Sequence, residues 1–371
     1  MENETRDCFY CEHCGKPFES TCSNCERCEN CCSCYYCEGC DERVSNFCSE
    51  CDRCSDCCSC EHGPRHAQKF TIKKPTNAKG YKENSSKRPI SIELELCSVE
   101  NDDKLIAWAR KTGAGLVEDG SLPDSGVEIN TNPASGDYFL QDARSLATAL
   151  QACGAHVNDT CGLHVHVDAS DFSQYDIRRL ILLWSAVERS MFDLAGKDRI
   201  ENDYCRPCSG YYAHIMCGHN LSEWRKRLAI ALYKEANRET RYAKREKYIK
   251  SRYYALNLHS YFFRKTFEFR LHEGRMDAHI LENWPLLCGR LVDVSMRTPE
   301  RDLLSLVKSD RSSEDVLASV LPAQLSAWMR ERLADRREAR RSAGTLAQTE
   351  RMLDSLESGR KTIAQYNPSN E

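Results

Sequence analysis

The residues best equipped for chemistry fall into two groups, and the first is a bank of cysteines before residue 61. Cys11, Cys14, Cys22, Cys25, Cys28, Cys31, Cys32 and Cys34 recur 26 residues later as Cys37, Cys40, Cys48, Cys51, Cys54, Cys57, Cys58 and Cys60, and Cys8 stands one period before Cys34. The residues between follow suit, Tyr10 matching Tyr36, Glu12 matching Glu38 and Arg27 matching Arg53, so the segment reads as a duplication. A Cys-x-x-Cys turn brings two thiolates to one ion, and two such turns complete the tetrahedral shell of structural zinc. Few large apolar side chains are present to build a core, so the metal would supply most of the folding free energy. Eight cysteines per repeat allow about two ions each, although spacing does not say which thiols share an ion. The competing explanations are a disulfide framework, which needs an oxidising compartment, and an iron–sulfur site, which would use only four of the thiols. A module of this kind more often binds a partner or a substrate than performs chemistry.

The second group lies on segments of period-2 alternation, the mark of a strand with one buried face. In Ile90–Leu96 the apolar set is Ile90, Ile92, Leu94 and Leu96, which leaves Glu93 and Glu95 together on the other face. Leu163, Val165 and Val167 oppose His164, His166 and Asp168; Phe267, Phe269 and Leu271 oppose Glu268, Arg270 and His272; Val127 and Ile129 oppose Glu128 and Asn130. A fifth candidate sets Asn257 and His259 against Leu256 and Leu258. A wet sheet face would be rich in Lys, Thr and Ser, whereas these faces carry Glu, His, Asn, Asp and a single Arg. For one strand alone an exposed polar face is explanation enough; for all of them together a set of ligands explains more. Carboxylates brought together repel one another and their pKa values rise unless a cation sits among them. Hard oxygen ligands with one or two imidazoles suit Mg2+ or Mn2+ rather than zinc.

Helices must hold these strands in place. Residues 101–112, 137–152 and 174–195 have apolar positions at helical spacing, with Gly196 as a stop signal, and 221–250 reads as a long basic helix. The pattern predicts an α+β domain around a curved, mostly antiparallel sheet with flanking helices, preceded by a small zinc-stabilised cysteine-rich domain. The expected division is 1–62 for the cysteine repeats, 63–89 for a basic linker, 90–298 for the catalytic domain, 299–365 for a charged helical region and 366–371 for a disordered tail. At 371 residues each part has room for its own core. No apolar run approaches about 18 residues and no secretory h-region opens the chain, so the expectation is a cytoplasmic protein with no membrane span. A net charge of −4 gives no global pull toward nucleic acid. The linker lysines and the arginines of 330–341 read as a solvated tether and a solvated helical appendage rather than as nucleic-acid contacts. Cys205, Cys208, Cys217 and His219 have zinc-like spacing and are a weaker candidate for a further metal site.

Four motifs in order resemble the amidoligase family, a branch of the glutamine synthetase and glutamate-cysteine ligase superfamily: the Glu-x-Glu strand of Glu93 and Glu95, the Asp-Gly-Ser-Leu loop from Asp119 to Leu122 leading to Gly126–Ile129, Cys161–His166, and Phe267–Gly274. The resemblance covers roughly residues 90 to 290 and implies a glutamine-synthetase-like fold. It implies Glu93, Glu95, Glu128, His164 and Glu268 as Mg2+ ligands, Asp119 and Ser121 beside a bound ATP, Arg270 on the transferred phosphate, and His166 facing nucleotide or substrate. It accounts for Cys205 as part of a loop beside the substrate. The activity implied is ATP-dependent joining of a carboxylate to an amine, on small molecules or on a peptide or protein side chain, through an acyl phosphate. The absence of a Walker motif agrees with phosphates held by metals. Phosphoryl transfer to a guanidino group on the same fold, and a non-enzymatic protein that binds protein or nucleic acid through its zinc repeats, are the alternatives.

Overall fold

The computed structural model describes residues 85–117, 122, 126–174, 176–196, 199–217, 221–234, 243–244 and 249–365, together with the backbone of four short strands before residue 45. The cysteines from Cys8 to Cys60, Asp119, Ser121, His219, the Cys217 side chain, the linker before residue 85 and the tail after 365 lie outside the described residues. The chain divides into two units, Met1–Ala67 and Gln68–Glu371, so the division falls within the stretch expected to be a linker.

In the first unit β1 (Phe9–Tyr10) pairs antiparallel with β2 (Pro17–Phe18), and β3 (Tyr35–Tyr36) with β4 (Arg43–Val44). The steps from Phe9 to Tyr35 and from Pro17 to Arg43 both equal the 26-residue sequence period. The duplication read from the cysteines is therefore also a duplication of backbone structure. Each hairpin carries one Cys-x-x-Cys in its connection, Cys11 with Cys14 and Cys37 with Cys40. The aromatic pairs of β1 and β3 favour the extended backbone of those strands.

The second unit is built on a six-stranded antiparallel sheet of order β11-β12-β10-β5-β8-β7. Its strands are β5 (Ile90–Leu96), β7 (Gly115–Val117), β8 (Val127–Asn130), β10 (Gly162–Asp168), β11 (Leu256–Asn257) and β12 (Thr266–Glu273). A separate pair joins β6 (Ser98–Val99) to β9 (Ala155–His156). The alternating apolar residues Ile90, Ile92, Leu94, Leu163, Val165, Val167, Phe267 and Phe269 are all buried. Burial of each such side chain contributes about 1.5–3 kcal/mol.

Helices α2 (Asp137–Ala152), α3 (Asp176–Ala195) and α7 (Ala278–Arg297) form the layer that covers this face, with the Trp184 ring of α3 lying 5.8 Å from that of Phe269. Ahead of α2 runs α1 (Asp102–Thr112), capped at its start by the Asn101 side chain and closed by Gly113 at φ 74°, a left-handed conformation that glycine adopts without strain. Short α4 (Ser209–Tyr212), α5 (Leu221–Tyr233) and α6 (His259–Arg264) precede β12. Within the long basic helix expected over 221–250, Leu221–Tyr233 and Ala243 are helical, and Ile249 is already extended.

The C-terminal region differs from the expected solvated appendage. Helices α8 (Glu300–Lys308), α9 (Ser313–Val320), α10 (Ala323–Ser342) and α11 (Leu346–Ala364) pack around α3 and bury Leu303, Val307, Val316, Leu317, Met329, Leu333 and Leu353. The arginines of α10 meet carboxylates of neighbouring elements: Arg340 pairs with buried Asp193, Arg337 with Glu314 at 2.6 Å, and Arg336 with Glu273 at 2.6 Å. Charge that looked solvent-facing in the sequence is the cement of a helical layer. Among the described residues no helix is long and apolar enough to cross a membrane.

Candidate active site

Pairing of the strands decides which polar residues meet. His164 lies opposite Glu93 and His166 opposite Ser91 across β10 and β5. On the other side of β10, His166 faces Glu268, and Glu268 in turn faces Asn257 of β11. Glu95 and Glu128 are opposed on β5 and β8. Opposed residues share a face, so the polar residues of five strands gather on the side of the sheet away from α2, α3 and α7. Glu93, Glu95, His164, His166, Glu268 and Arg270 are each no more than 7% exposed. The polar face is therefore not a wet one.

Three of them form a potential cation cage. One ligand atom from each of Glu93, His166 and Glu268 lies within 4.8 Å of the others. His166 Nε2 is 3.4 Å from Glu93 Oε2 and 3.9 Å from Glu268 Oε1, while its Nδ1 lies 3.1 Å from the Thr266 hydroxyl. Nε2 lies within hydrogen-bond distance of Glu93; with Nδ1–H donating to Thr266, which Ser260 contacts in turn at 2.8 Å, a neutral ring would turn its Nε2 lone pair to a cation held between the carboxylates. Asn257 fixes the other oxygen of Glu268: its amide donates to Oε2 at 2.6 Å, and its Oδ1 accepts the His259 N–H at 3.0 Å. His164 takes a different place, with Nδ1 3.0 Å from Glu93 Oε1 and Nε2 3.9 Å from Glu95 Oε1. Glu95 is anchored by the Gly162 N–H at 2.6 Å, and Glu128 by Asn130 Nδ2 at 2.7 Å. A Cβ at Gly162 would come within 2.6 Å of His164 Nε2, so glycine here is a requirement of space.

Burial by itself would raise the carboxyl pKa values, yet both central ones are low. Burial pushes Glu93 up, but hydrogen bonds and charge from His164 and His166 more than offset it and hold the group well below the usual carboxylate range. Burial likewise raises Glu268, and the charges of Arg270 and His166 bring it down to about 2. Arg270 is hydrogen-bonded to Glu268 Oε1, donates through Nε to the Tyr204 carbonyl at 3.3 Å and lies over the Tyr253 ring. These carboxylates stay ionised in a dry place, the condition for binding a cation.

A recess of about 20 Å3, room for about one water molecule, opens onto Glu93, Asn257 and Glu268 and is also lined by Arg252, Arg264 and Phe263. Carboxylates at the base and guanidinium groups alongside suit a metal–phosphate ligand, because each charge on the ligand meets its opposite. Arg252, Arg264, Thr266 and Ser260 were not singled out from the sequence. Thr266 sits two residues before Glu268 on the same alternating face and was open to detection by period; the arginines lie off the strands and carry no such signal.

One expectation changes. His272 does not join Glu268 and Arg270, because β10 and β12 slip past each other: Val165 faces Phe269 but Leu163 faces His272, one residue further than alternation allows. Beyond that bulge His272 packs on Trp284 at 4.7 Å, and burial lowers its pKa to about 3. The possible metal set at Cys205 and Cys208 shows two buried thiols, with Cys205 donating to the Arg199 carbonyl at 3.3 Å and burial raising both pKa values. The other two members of that set, the Cys217 side chain and His219, lie outside the described residues.

Residues 72–292, more than half of the chain, match a family model described as "Putative amidoligase enzyme". No curated protein matches the sequence. With the Glu93, His166 and Glu268 strands all inside the matched range, the chain belongs to the amidoligase family.

Proposed function

We propose that the protein is an ATP- and Mg2+-dependent ligase that joins a carboxylate to an amine through an acyl phosphate. The observation that carries this reading is the buried set of Glu93, His166 and Glu268, with ligand atoms within 4.8 Å of one another and Arg270 against Glu268. Two ionised carboxylates and one imidazole with a free lone pair fit Mg2+ or Mn2+ in donor type. Glu93, His166 and Glu268 would hold the ion, with Glu95, Glu128 and His164 as a further group beside them. The bound metal would supply charge neutralisation at the phosphates. This assigns His166 to the ligands rather than to nucleotide or substrate.

The chain's own groups would do the rest. Arg270, Arg252 and Arg264 present planar forks for phosphate oxygens and stay charged throughout. A substrate carboxylate oxygen attacks the γ-phosphorus, ADP leaves, and the amine then displaces phosphate from the acyl carbon to give the amide. Burial of the site keeps water from the acyl phosphate. We assign structural zinc to the cysteine repeats, whose duplicated hairpins each enclose a Cys-x-x-Cys. Protein purified from zinc-replete medium and found free of zinc by elemental analysis would overturn that assignment.

The ligase is tested by incubating zinc-loaded protein with ATP, Mg2+ and pooled amino acids, polyamines and cell lysate, with Arg270→Ala as control. Phosphate release with a product lighter by one water than its two components is expected. A stable phosphorylated product would make the protein a kinase instead, and no release above the control would remove the catalytic reading.

A further inference from the structure

Three arginines gather at the end of β12 around one carboxylate. Glu273 Oε1 accepts from Arg275 at 2.7 Å and from Arg336 at 2.6 Å; burial raises its pKa, but the charge and hydrogen bond of Arg336 and then Arg275 bring it down to about 2. Arg332, one turn before Arg336 on α10, feels the charges of Arg275, Glu273, Asp335 and Asp277 but makes no hydrogen bond or ion pair of its own among the described residues. The Nε atoms of Arg332 and Arg336 are both buried without a hydrogen-bond partner. Asp277 is occupied in capping α7 through the Ile280 N–H at 3.1 Å, and Asp335 is exposed. A buried N–H donor left unmade costs about 1–3 kcal/mol, and here two on neighbouring guanidinium groups beside one carboxylate are open to an acceptor.

The place adjoins the candidate active site. Glu273 faces Gly162 across β12 and β10, and Gly162 donates to Glu95 and abuts His164. Gly196, at φ 145°, makes room for Glu273, since a Cβ there would come within 2.6 Å of its Oε2. Glu273 and Arg275 lie inside residues 72–292 whereas Arg332 and Arg336 stand outside them, so two of the three arginines are supplied by this chain's C-terminal helix α10.

We propose that Arg275, Arg332 and Arg336 form an oxyanion subsite that takes a phosphate or carboxylate group of the substrate beside the metal-binding face. That the anion belongs to a substrate rests on the ligase reading; the anion binding itself does not. Planar guanidinium forks bind the two oxygens of either group in parallel, and Glu273, accepting from Arg275 and Arg336, offsets the repulsion among the cations.

The test is calorimetric titration of the full-length protein with inorganic phosphate and, separately, with succinate, at constant ionic strength set by chloride. Saturable binding is expected, weakened about tenfold or more in Arg332→Gln, because a hydrogen bond to a charged group is worth about 1.5–3 kcal/mol. Arg341→Gln, which removes the same charge from an exposed site on the same helix, keeps the wild-type affinity. The Mn2+ affinity of the carboxylate cluster is unchanged in Arg332→Gln, which separates this subsite from the metal site and reports that the variant folds. Should that variant fail to fold, Arg275→Gln at the solvent edge takes its place. Tighter binding of phosphate points to a phosphoryl group, and tighter binding of succinate to a substrate carboxylate. Absence of saturable binding of both anions, or equal binding by wild type and Arg332→Gln, overturns the proposal. Neither result depends on turnover, so failure here is distinct from failure of the ligase reading.

Discussion

The polar face of the sheet and helix α10 are both dense in charge, and they use it in opposite ways. On α10 the arginines close with acids of other elements: Arg340 with Asp193, Arg337 with Glu314, Arg330 with Glu314 and Asp315. On the sheet, Glu93, Glu95, Glu128 and Glu268 share one face, and Arg270 is the only arginine that the strands contribute to it. Charge that balances pair by pair holds elements together; buried acid in excess, kept ionised, calls for a cation. Arg332 makes no such pair among the described residues, and for the same reason we take it to meet a ligand rather than to form a joint.

Substitutions should separate the two uses. The largest effect is expected from Glu268→Gln, which removes a carboxylate from the cation cage: Mg2+-dependent phosphate release should fall by about 10²–10³-fold, the scale of losing one electrostatic contact in a site, with the fold intact by circular dichroism. An unchanged rate would make the sheet face one more structural network. Asp193→Asn acts on the other region. It leaves Arg340 buried without its counter-charge and should cost about 3–5 kcal/mol, measured by urea unfolding, without altering phosphate release per folded molecule. All five tryptophans lie in the second unit, so their fluorescence reports on it alone.

A smaller effect comes from His272, on the apolar side of the bulge. Its pKa is lowered from 6.5 to about 3, so the unfolded chain binds a proton there that the folded chain does not. Its contribution to stability is therefore present above pH 6.5 and is lost as pH falls toward 3. Wild type should lose about 2 kcal/mol more than His272→Gln between pH 7 and pH 5. Equal losses would return His272 to the exposed polar face. The smallest effect is expected at Arg341, whose exposed pair with Glu338 contributes within about 0.5 kcal/mol; a larger loss on Arg341→Gln would show that α10 depends on its outer charges too.

Much of the fold and site was legible because it is written locally. Helix α2 runs from Asp137 to Ala152 as its apolar spacing predicts, α3 ends at Ala195 before Gly196, and the alternation of β5, β10 and β12 places Glu93, His166 and Glu268 opposite buried aliphatic and aromatic residues. The 26-residue period of the cysteines is matched by the offset between the two hairpins. The arginines of α10 were misread because a charged helix surface looks alike whether water or carboxylates face it. His272 was misread because one bulge inverts the alternation after it.

The sequence by itself therefore determined which side of each strand is polar, since pleat and side-chain direction follow from consecutive residues. Only the tertiary structure decided that His166 stands with Glu93 and Glu268 while His164 sits between Glu93 and Glu95. That choice depends on register between segments more than 70 residues apart, set by backbone pairing and by the packing of the opposite face on α3 and α7.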